Sequence, residues 1–317
     1  MNHKVLVATR SFGSTSQKPW DVLAKAGCEI VRADMSQKIT EERLIDLLSG
    51  VEGAIVGVVP MTARVINASP TLRVVSMHGV GYDYVDLEAA RTRGVIVANC
   101  PGTNDQAVAD LAIGLMLSAA RRIPFADRDL RSGVWGGYIG TELWNKTLGL
   151  VGLGRIGRGV AKRALGFDVR VLAFDPYVTS EAARSVGAEL AALDRVVAEA
   201  DFLSLHAVLT EETRGIIDEA LLNQMRPNAY LINTSRGGLV DEEALYRALN
   251  EHRIAGAALD AFALEPPTGS PLFALDNVVA TPHIGGHTTE AIERVGVMAA
   301  ENVISALLTG EPLHRVV

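Results

Sequence analysis

The chain has 317 residues, 48% hydrophobic and 21% charged, with a formal net charge of −7. That length exceeds one small core and makes two domains the expectation, and the composition is that of a folded globular chain. An acidic balance without a Lys/Arg run argues against a nucleic-acid partner. The two cysteines, Cys28 and Cys100, make neither a CxxC pair nor a disulfide framework, which fits a reducing cytoplasm.

Val5–Ala8 opens the chain as an apolar, strand-like run, with no signal-peptide pattern ahead of it. Glu29–Val31, Ala54–Val58, Val74–Ser76 and Val95–Ala98 continue the series, separated by helical patterns. Ala107–Ala120 is apolar on nearly every face, but it is too short to span a bilayer and Asp110 interrupts it. No membrane is expected, and the segment reads as a buried or interface helix. A second group of runs follows: Leu148–Val151, Val169–Phe174, Phe202–Leu205, Tyr230–Ile232, Ala257–Leu259 and Val278–Ala280. Continuous apolar strands alternating with helices imply parallel sheets covered on both faces.

The expected fold is therefore α/β, with two doubly wound parallel-sheet domains: a Rossmann nucleotide-binding domain and a flavodoxin-like substrate domain. The last helical stretch, Thr288–Leu308, is expected to return to the first sheet. That return makes residues 1–99 and 287–317 a discontinuous substrate-binding domain and residues 100–286 the nucleotide-binding domain. Hinges are expected near 99–103 and 286–288.

Gly152-Leu153-Gly154-Arg155-Ile156-Gly157 follows the run Leu148–Val151. Three glycines at those offsets would arise by chance about 0.3 times in such a chain, so the spacing alone decides little. The context decides more: a strand before, an amphipathic helix over Arg155–Leu165 after, and Asp175 closing the next strand. Gly152 permits the tight turn, Gly154 lets backbone approach a pyrophosphate, and Gly157 allows close helix–strand packing. The helix start offers free N–H groups to the phosphates, and Arg155 can add a charge-assisted contact. A carboxylate at Asp175 accepts from ribose hydroxyls and repels a 2′-phosphate, so NAD is the expected cofactor rather than NADP. His206 ends another strand, where lining the cofactor cleft and capping the core are equally open readings.

Asn233–Gly238, Asp260–Pro266 and Thr281–Gly286 each end an apolar run and place an ionisable side chain in a turn. Arg236 suits holding a carboxylate and polarising a carbonyl, because a guanidinium stays charged and binds planar anions through paired N–H groups. His283 suits proton exchange near neutral pH, and Glu265 suits orienting it. Each has a plain alternative taken singly: a surface-turn arginine, a structural histidine, a solvated Glu265-Pro266-Pro267 loop. Together they follow strand ends of one sheet, where open α/β folds carry their sites. His283 and His287 stand four apart, but Gly285 and Gly286 lie between them, so no metal is expected.

From about Leu72 to Glu311 the chain resembles the D-isomer-specific 2-hydroxyacid dehydrogenases, especially short phosphoglycerate-dehydrogenase-like members without a C-terminal regulatory domain. The resemblance rests on Gly79-Val80-Gly81-Tyr82-Asp83, Val108–Leu117, Lys146–Gly149, Gly152–Gly157, Leu205-His206, Asn233–Asp241, Asp260–Pro266 and Pro282–Gly286. It implies that Arg236 binds substrate, His283 is the acid/base and Glu265 its partner. It also implies cofactor contacts from Ile156, His206, Thr234, Ser235, Asp260, His283 and Gly285, with Asp260 near the nicotinamide carboxamide. Backbone N–H groups around His78, Gly79 and Val80 would cradle the substrate carboxylate. A homodimer joined through the nucleotide-binding domains is implied too, and would explain the apolar Ala107–Ala120 helix.

Two departures bear on the substrate. The turn Val58–Thr62 lacks the arginine typical of phosphoglycerate-specific members, and Met77-His78 replaces their Arg-Ala. A short acid such as glyoxylate or hydroxypyruvate is therefore expected over 3-phosphoglycerate. The rival reading from another class is a non-catalytic, NAD(H)-sensing corepressor-like protein, against which the intact Arg236, Glu265 and His283 stand.

Overall fold

Apolar runs bounded by turn residues become twelve strands in a computed structural model that describes residues 3–317. The first sheet contains β1 (Lys4–Ala8), β2 (Glu29–Arg32), β3 (Gly53–Val56), β4 (Val74–Met77) and β5 (Ile96–Ala98). Its order is β2-β1-β3-β4-β5 and every pairing is parallel, the flavodoxin-like doubly wound arrangement. The second sheet contains β6 (Thr147–Val151), β7 (Arg170–Phe174), β8 (Ala188–Leu190), β9 (Phe202–Leu205), β10 (Tyr230–Asn233), β11 (Gly256–Leu259) and β12 (Val278–Ala280). Its order is β12-β11-β10-β9-β6-β7-β8, again all parallel, which is the Rossmann order with one strand added. β3, β4, β9 and β11 are buried at every position, as sheets covered on both faces require.

The fold class is thus the expected one, with seven strands rather than six in the second sheet. The strand absent from the apolar runs is β8, which pairs only with β7; the one added to the Rossmann order is β12 at the opposite edge. Its middle residue, Glu189, is exposed and ion-paired with Arg170 and Arg195. An edge strand three residues long with a charge at its centre carries no apolar run to read.

The backbone forms two compact units, one ending at Asn104 and resumed by His287–Val317, the other Asp105–Gly286. In the first unit, helix Thr289–Thr309 starts at an N-cap, where the Thr288 side chain accepts from Ala291 N–H, and stops at left-handed Gly310. Val295, Ala299, Val303 and Leu307 on this helix pack with Val5, Val7, Ile55 and Val74 of the sheet. The sheet admits it closely: a Cβ on Gly53 would meet Val303 at 2.7 Å.

In the second unit, helix Asp105–Ala120 is buried along most of its length. Ala109, Ala112, Ile113 and Met116 lie in one core with Leu148, Leu150, Ile232 and Ala258. Burial inside its own unit accounts for the apolar character at those positions. Among the described residues no helix is long and apolar enough to cross a membrane.

Candidate active site

β6 lies between β7 and β9, with Val151 opposite Phe174 on one side and Leu205 on the other. The strand order reverses there, and the turn Gly152–Gly154 leaves the sheet at that point. Gly152 has φ +97°, and a Cβ on it would stand 2.7 Å from Ala207 N and from His206 C. A Cβ on Gly157 would approach Gly152 O to 2.2 Å, so this helix–turn contact requires glycine. A Cβ on Gly154 would meet nothing within 4 Å, which leaves that face of the turn open to a ligand. Helix Arg155–Ala164 begins there without a side-chain cap, so its first N–H groups are available to an anion.

The Asp175 carboxylate accepts from Leu153 N–H at 2.8 Å and Tyr177 N–H at 2.9 Å. It is thereby fixed beside the glycine turn, with further acceptor capacity on each oxygen. A pyrophosphate over Gly154 and a ribose against Asp175 fit this cradle. Ile156 lies within the first turn of the same helix. His206 sits against Gly152 and Gly157, its Nε2 2.9 Å from Ser204 Oγ. Burial pushes its pKa down to about 3, so the ring is neutral at physiological pH.

β10 delivers Arg236 through an Asx-type turn. Asn233 donates from Nδ2 to Arg236 O at 2.9 Å and accepts from Ser235 N–H at 3.0 Å. Ser235 donates its hydroxyl to Ala207 O at 2.7 Å, tying this turn to the end of β9, and Thr234 is buried between. Gly237 seats the turn on the next loop: its Cβ would lie 1.9 Å from the Phe262 carbonyl carbon. No other residue fits so close to backbone.

Asp260, the first residue after β11, is 1% exposed. Its carboxylate accepts from Thr281 Oγ1 at 2.6 Å, Ile284 N–H at 2.8 Å and Gly285 N–H at 2.8 Å. These bonds span both sides of His283, a non-glycine residue held at φ +54°. Asp260 thus builds the turn that presents His283. Both Glu265 oxygens lie 2.9 Å from His283 Nδ1, and Oε1 also accepts from Phe262 N–H at 3.1 Å.

The electrostatics follow from this geometry. The hydrogen bond to Glu265 raises the His283 pKa above its ordinary value; burial opposes, Glu265's charge adds to the rise, and Arg236 opposes. For Glu265, burial works upward, but the His283 and Phe262 hydrogen bonds and the charges of His283 and Arg236 outweigh it and lower the carboxyl. The pair therefore favours imidazolium–carboxylate.

Arg236, Asp260, Glu265, His283 and Gly285 all fall in the second unit, as does the glycine turn, whereas His78, Gly79 and Val80 belong to the first. His78 N–H is already given to Val56 O at 2.7 Å, leaving Gly79 and Val80 as the N–H donors of that turn. The His78 ring accepts or donates at Nδ1 with Ser11 Oγ at 3.2 Å, and burial pushes its pKa down to about 4. Asn233 and Thr281 open two of the stretches named from sequence, but their role in shaping the Arg236 and His283 turns is not among the expectations. The signal for Asn233 was its place at a strand end before Ser235-Arg236-Gly237.

Residues 113–285 match the family model "D-isomer specific 2-hydroxyacid dehydrogenase, NAD binding domain". The chain is 42% identical over 293 residues to a D-3-phosphoglycerate dehydrogenase of Methanocaldococcus jannaschii, covering 91% of this chain and 56% of that one. It thus spans little more than half of that relative's length. It is also 42% identical over 282 residues to a glyoxylate reductase of Korarchaeum cryptofilum, covering 86% of this chain and 83% of the relative. Among solved structures, an NADPH-dependent glyoxylate/hydroxypyruvate reductase from Sinorhizobium meliloti superposes with a TM-score of 0.84 at 30% identity, covering 99% and 98% of the two chains. With an NAD-binding domain of this kind and relatives matched over nearly its whole length, the chain belongs to the D-isomer-specific 2-hydroxyacid dehydrogenase family.

Proposed function

We propose that this chain is an NAD-dependent dehydrogenase that interconverts a D-2-hydroxy acid and its 2-oxo acid. The observation that carries the reading is the His283–Glu265 pair, with both carboxylate oxygens 2.9 Å from one ring nitrogen. Nδ1 is committed to Glu265, so Nε2 is the nitrogen that exchanges a proton with the substrate oxygen at C2. Bound nicotinamide supplies or takes the hydride at that carbon. Arg236 binds the carboxylate and polarises the C2 carbonyl, and its charge favours the developing alkoxide. Gly79 and Val80 N–H groups are the proposed cradle for the carboxylate from the first unit.

Reduction consumes the imidazolium, so its rate should fall as pH rises through the raised His283 pKa, while oxidation should grow. Glu265→Gln removes the charge that raises this pKa and should move both limbs to lower pH. Steady-state pH profiles in each direction test this; a displacement to higher pH would overturn the pairing.

A short 2-oxo acid such as glyoxylate or hydroxypyruvate is the preferred substrate. Val58, in the turn after β3, is 74% exposed, and the turn itself carries no cation. The next arginine along the chain, Arg64, is ion-paired with Glu41 and Glu42. A phosphate on the substrate would find no counter-charge in that turn. The second reading, 3-phosphoglycerate oxidation, is favoured by the name of the Methanocaldococcus relative.

NAD is preferred over NADP because the fixed Asp175 carboxylate would face a 2′-phosphate, and Pro176, Tyr177 and Val178 bring no cation. The expected preference is at least about tenfold in kcat/KM, narrowing in Asp175→Ala. Equal use of NADH and NADPH by the wild type would sink it, and the NADPH-dependent neighbour makes the comparison worth doing.

A homodimer is proposed from the exposed apolar residues of the second unit. Trp135 is 92% and Ile139 97% exposed, close in sequence to the half-exposed Val134 and Trp144. Light scattering should read twice the chain mass, and a monomer at micromolar concentration would refute it. Unpaired Cys28 and Cys100 fit a cytoplasmic setting.

A further inference from the structure

At the C-terminal ends of β1 and β2 a cavity of about 440 Å³ opens in the first unit. Thr9, Arg10 and Phe12 line one side, Arg32 and Met35 the other, with Trp20 between. None of these residues is used by the reaction described above. The cavity lies on the C-terminal side of the sheet next to β1, one of the two strands at the β1/β3 switch point where such folds bind ligands, and the size suits a small organic molecule.

The walls are built rather than incidental. Arg32 lies over the Trp20 indole with its guanidinium carbon 3.8 Å from the ring centroid. Stacking occupies the guanidinium's face and leaves its N–H edge for an anion. Phe12 packs edge-on against the same indole at 4.6 Å. Gly13, at φ +66°, closes over it so tightly that a Cβ would overlap Trp20 Nε1. Arg10 is held by one hydrogen bond from Nε to Met35 O at 2.7 Å, which leaves its terminal NH2 groups for another partner.

Among the described residues neither guanidinium is ion-paired with a carboxylate. The nearby Asp34 carboxylate is turned to Ser36 N–H at 2.9 Å. Two fixed cations beside an aromatic and thioether wall, in a chain of net charge −7, form a local reversal of sign.

We infer that this cavity binds a small organic anion with a flat or apolar body and a phosphate or carboxylate group. The anionic group is held by Arg10 and Arg32 and the body rests on Trp20 and Met35. The site adjoins the turn His78–Val80: Phe12, which lines it, packs edge-on against the His78 ring with centroids 5.8 Å apart, and Ser11 on the same loop bonds to that ring.

The test is isothermal titration of the full chain, saturated with NADH to cover the glycine turn, using phenyl phosphate as the probe. Phenol and inorganic phosphate serve as the separated halves, and benzoate reports whether a carboxylate suffices. Phenyl phosphate should bind more tightly than either half. Arg10→Ala with Arg32→Gln should weaken it by at least about tenfold, and Trp20→Leu should erase its advantage over inorganic phosphate. If the Arg32 variant loses its cooperative melt, Arg10→Ala alone carries the comparison, since Arg10 is exposed. Unchanged affinity in the arginine variants would overturn the inference. So would loss of binding when a 2-oxo acid is added to the chain saturated with NAD in place of NADH, a pairing that cannot turn over, because the probe would then be reporting the substrate site. Binding is read without turnover, so failure here leaves the dehydrogenase reading untouched.

Discussion

A His283→Ala variant is expected to lose about 10²–10⁴-fold in kcat for 2-oxo acid reduction, the usual worth of a positioned general acid. NADH affinity should stay within about twofold of wild type, a few tenths of a kcal/mol, because the glycine turn and Asp175 carry the affinity and the implied His283 contact adds little. The split follows from the architecture. The glycine turn and Asp175 are held by β6 and β7, whereas His283 rides on a turn that Asp260 organises after β12. Removing the imidazole leaves those Asp260 bonds in place, so the turn itself should persist. Fluorescence titration of NADH together with steady-state turnover measures both quantities. Near-normal turnover would show that another group moves the proton.

Arg236→Lys should be nearly as damaging despite keeping the charge. Lysine has a compact ammonium in place of a planar fork, so it loses the paired N–H geometry toward a carboxylate and carbonyl. Truncating one partner of a hydrogen-bonded charge pair costs about 2–5 kcal/mol, and losing paired geometry here should lower kcat/KM by about 10²-fold or more. The change should appear in both KM and kcat, because the guanidinium holds the substrate and also faces the developing negative charge. Asn233 and Gly237 set this position through backbone contacts that the substitution leaves untouched. A melting temperature close to wild type should accompany the loss. A variant with unchanged kcat/KM would remove Arg236 from the substrate.

Much of this molecule was legible because its strands are short, apolar and bounded by turn residues. β6, β9, β10 and β11 could be placed from such runs, and the residues just beyond them carry the site. The edge strand Ala188–Leu190 was not legible, since its identity depends on pairing with β7 and on ion pairs to Arg170 and Arg195 rather than on burial. The apolar helix Asp105–Ala120 was legible as a helix, but its purpose was not. The same hydrophobic sequence serves a core or an interface, and it is packing against Leu150, Ile232 and Ala258 that shows which positions are core.

Asp260 shows the same limit at the site. The family resemblance implies a place for it near the nicotinamide carboxamide. Its three hydrogen bonds to Thr281, Ile284 and Gly285 make it the organiser of the histidine turn, a role that depends on contacts 21 to 25 residues away along the chain. Conversely, His78 looked like a backbone donor, and β-sheet extension takes its N–H for Val56. Side-chain chemistry at strand ends can be read from residue types; the allocation of backbone donors cannot.

The most direct test of the account is NADH oxidation by the purified wild-type chain against glyoxylate, hydroxypyruvate, pyruvate and phosphohydroxypyruvate, with chiral analysis of the product. Turnover is expected with at least one of the unphosphorylated acids, with the D-2-hydroxy acid formed wherever C2 becomes chiral and that turnover lost in His283→Ala. Tight NADH binding with no oxidation by any of the four acids would contradict it.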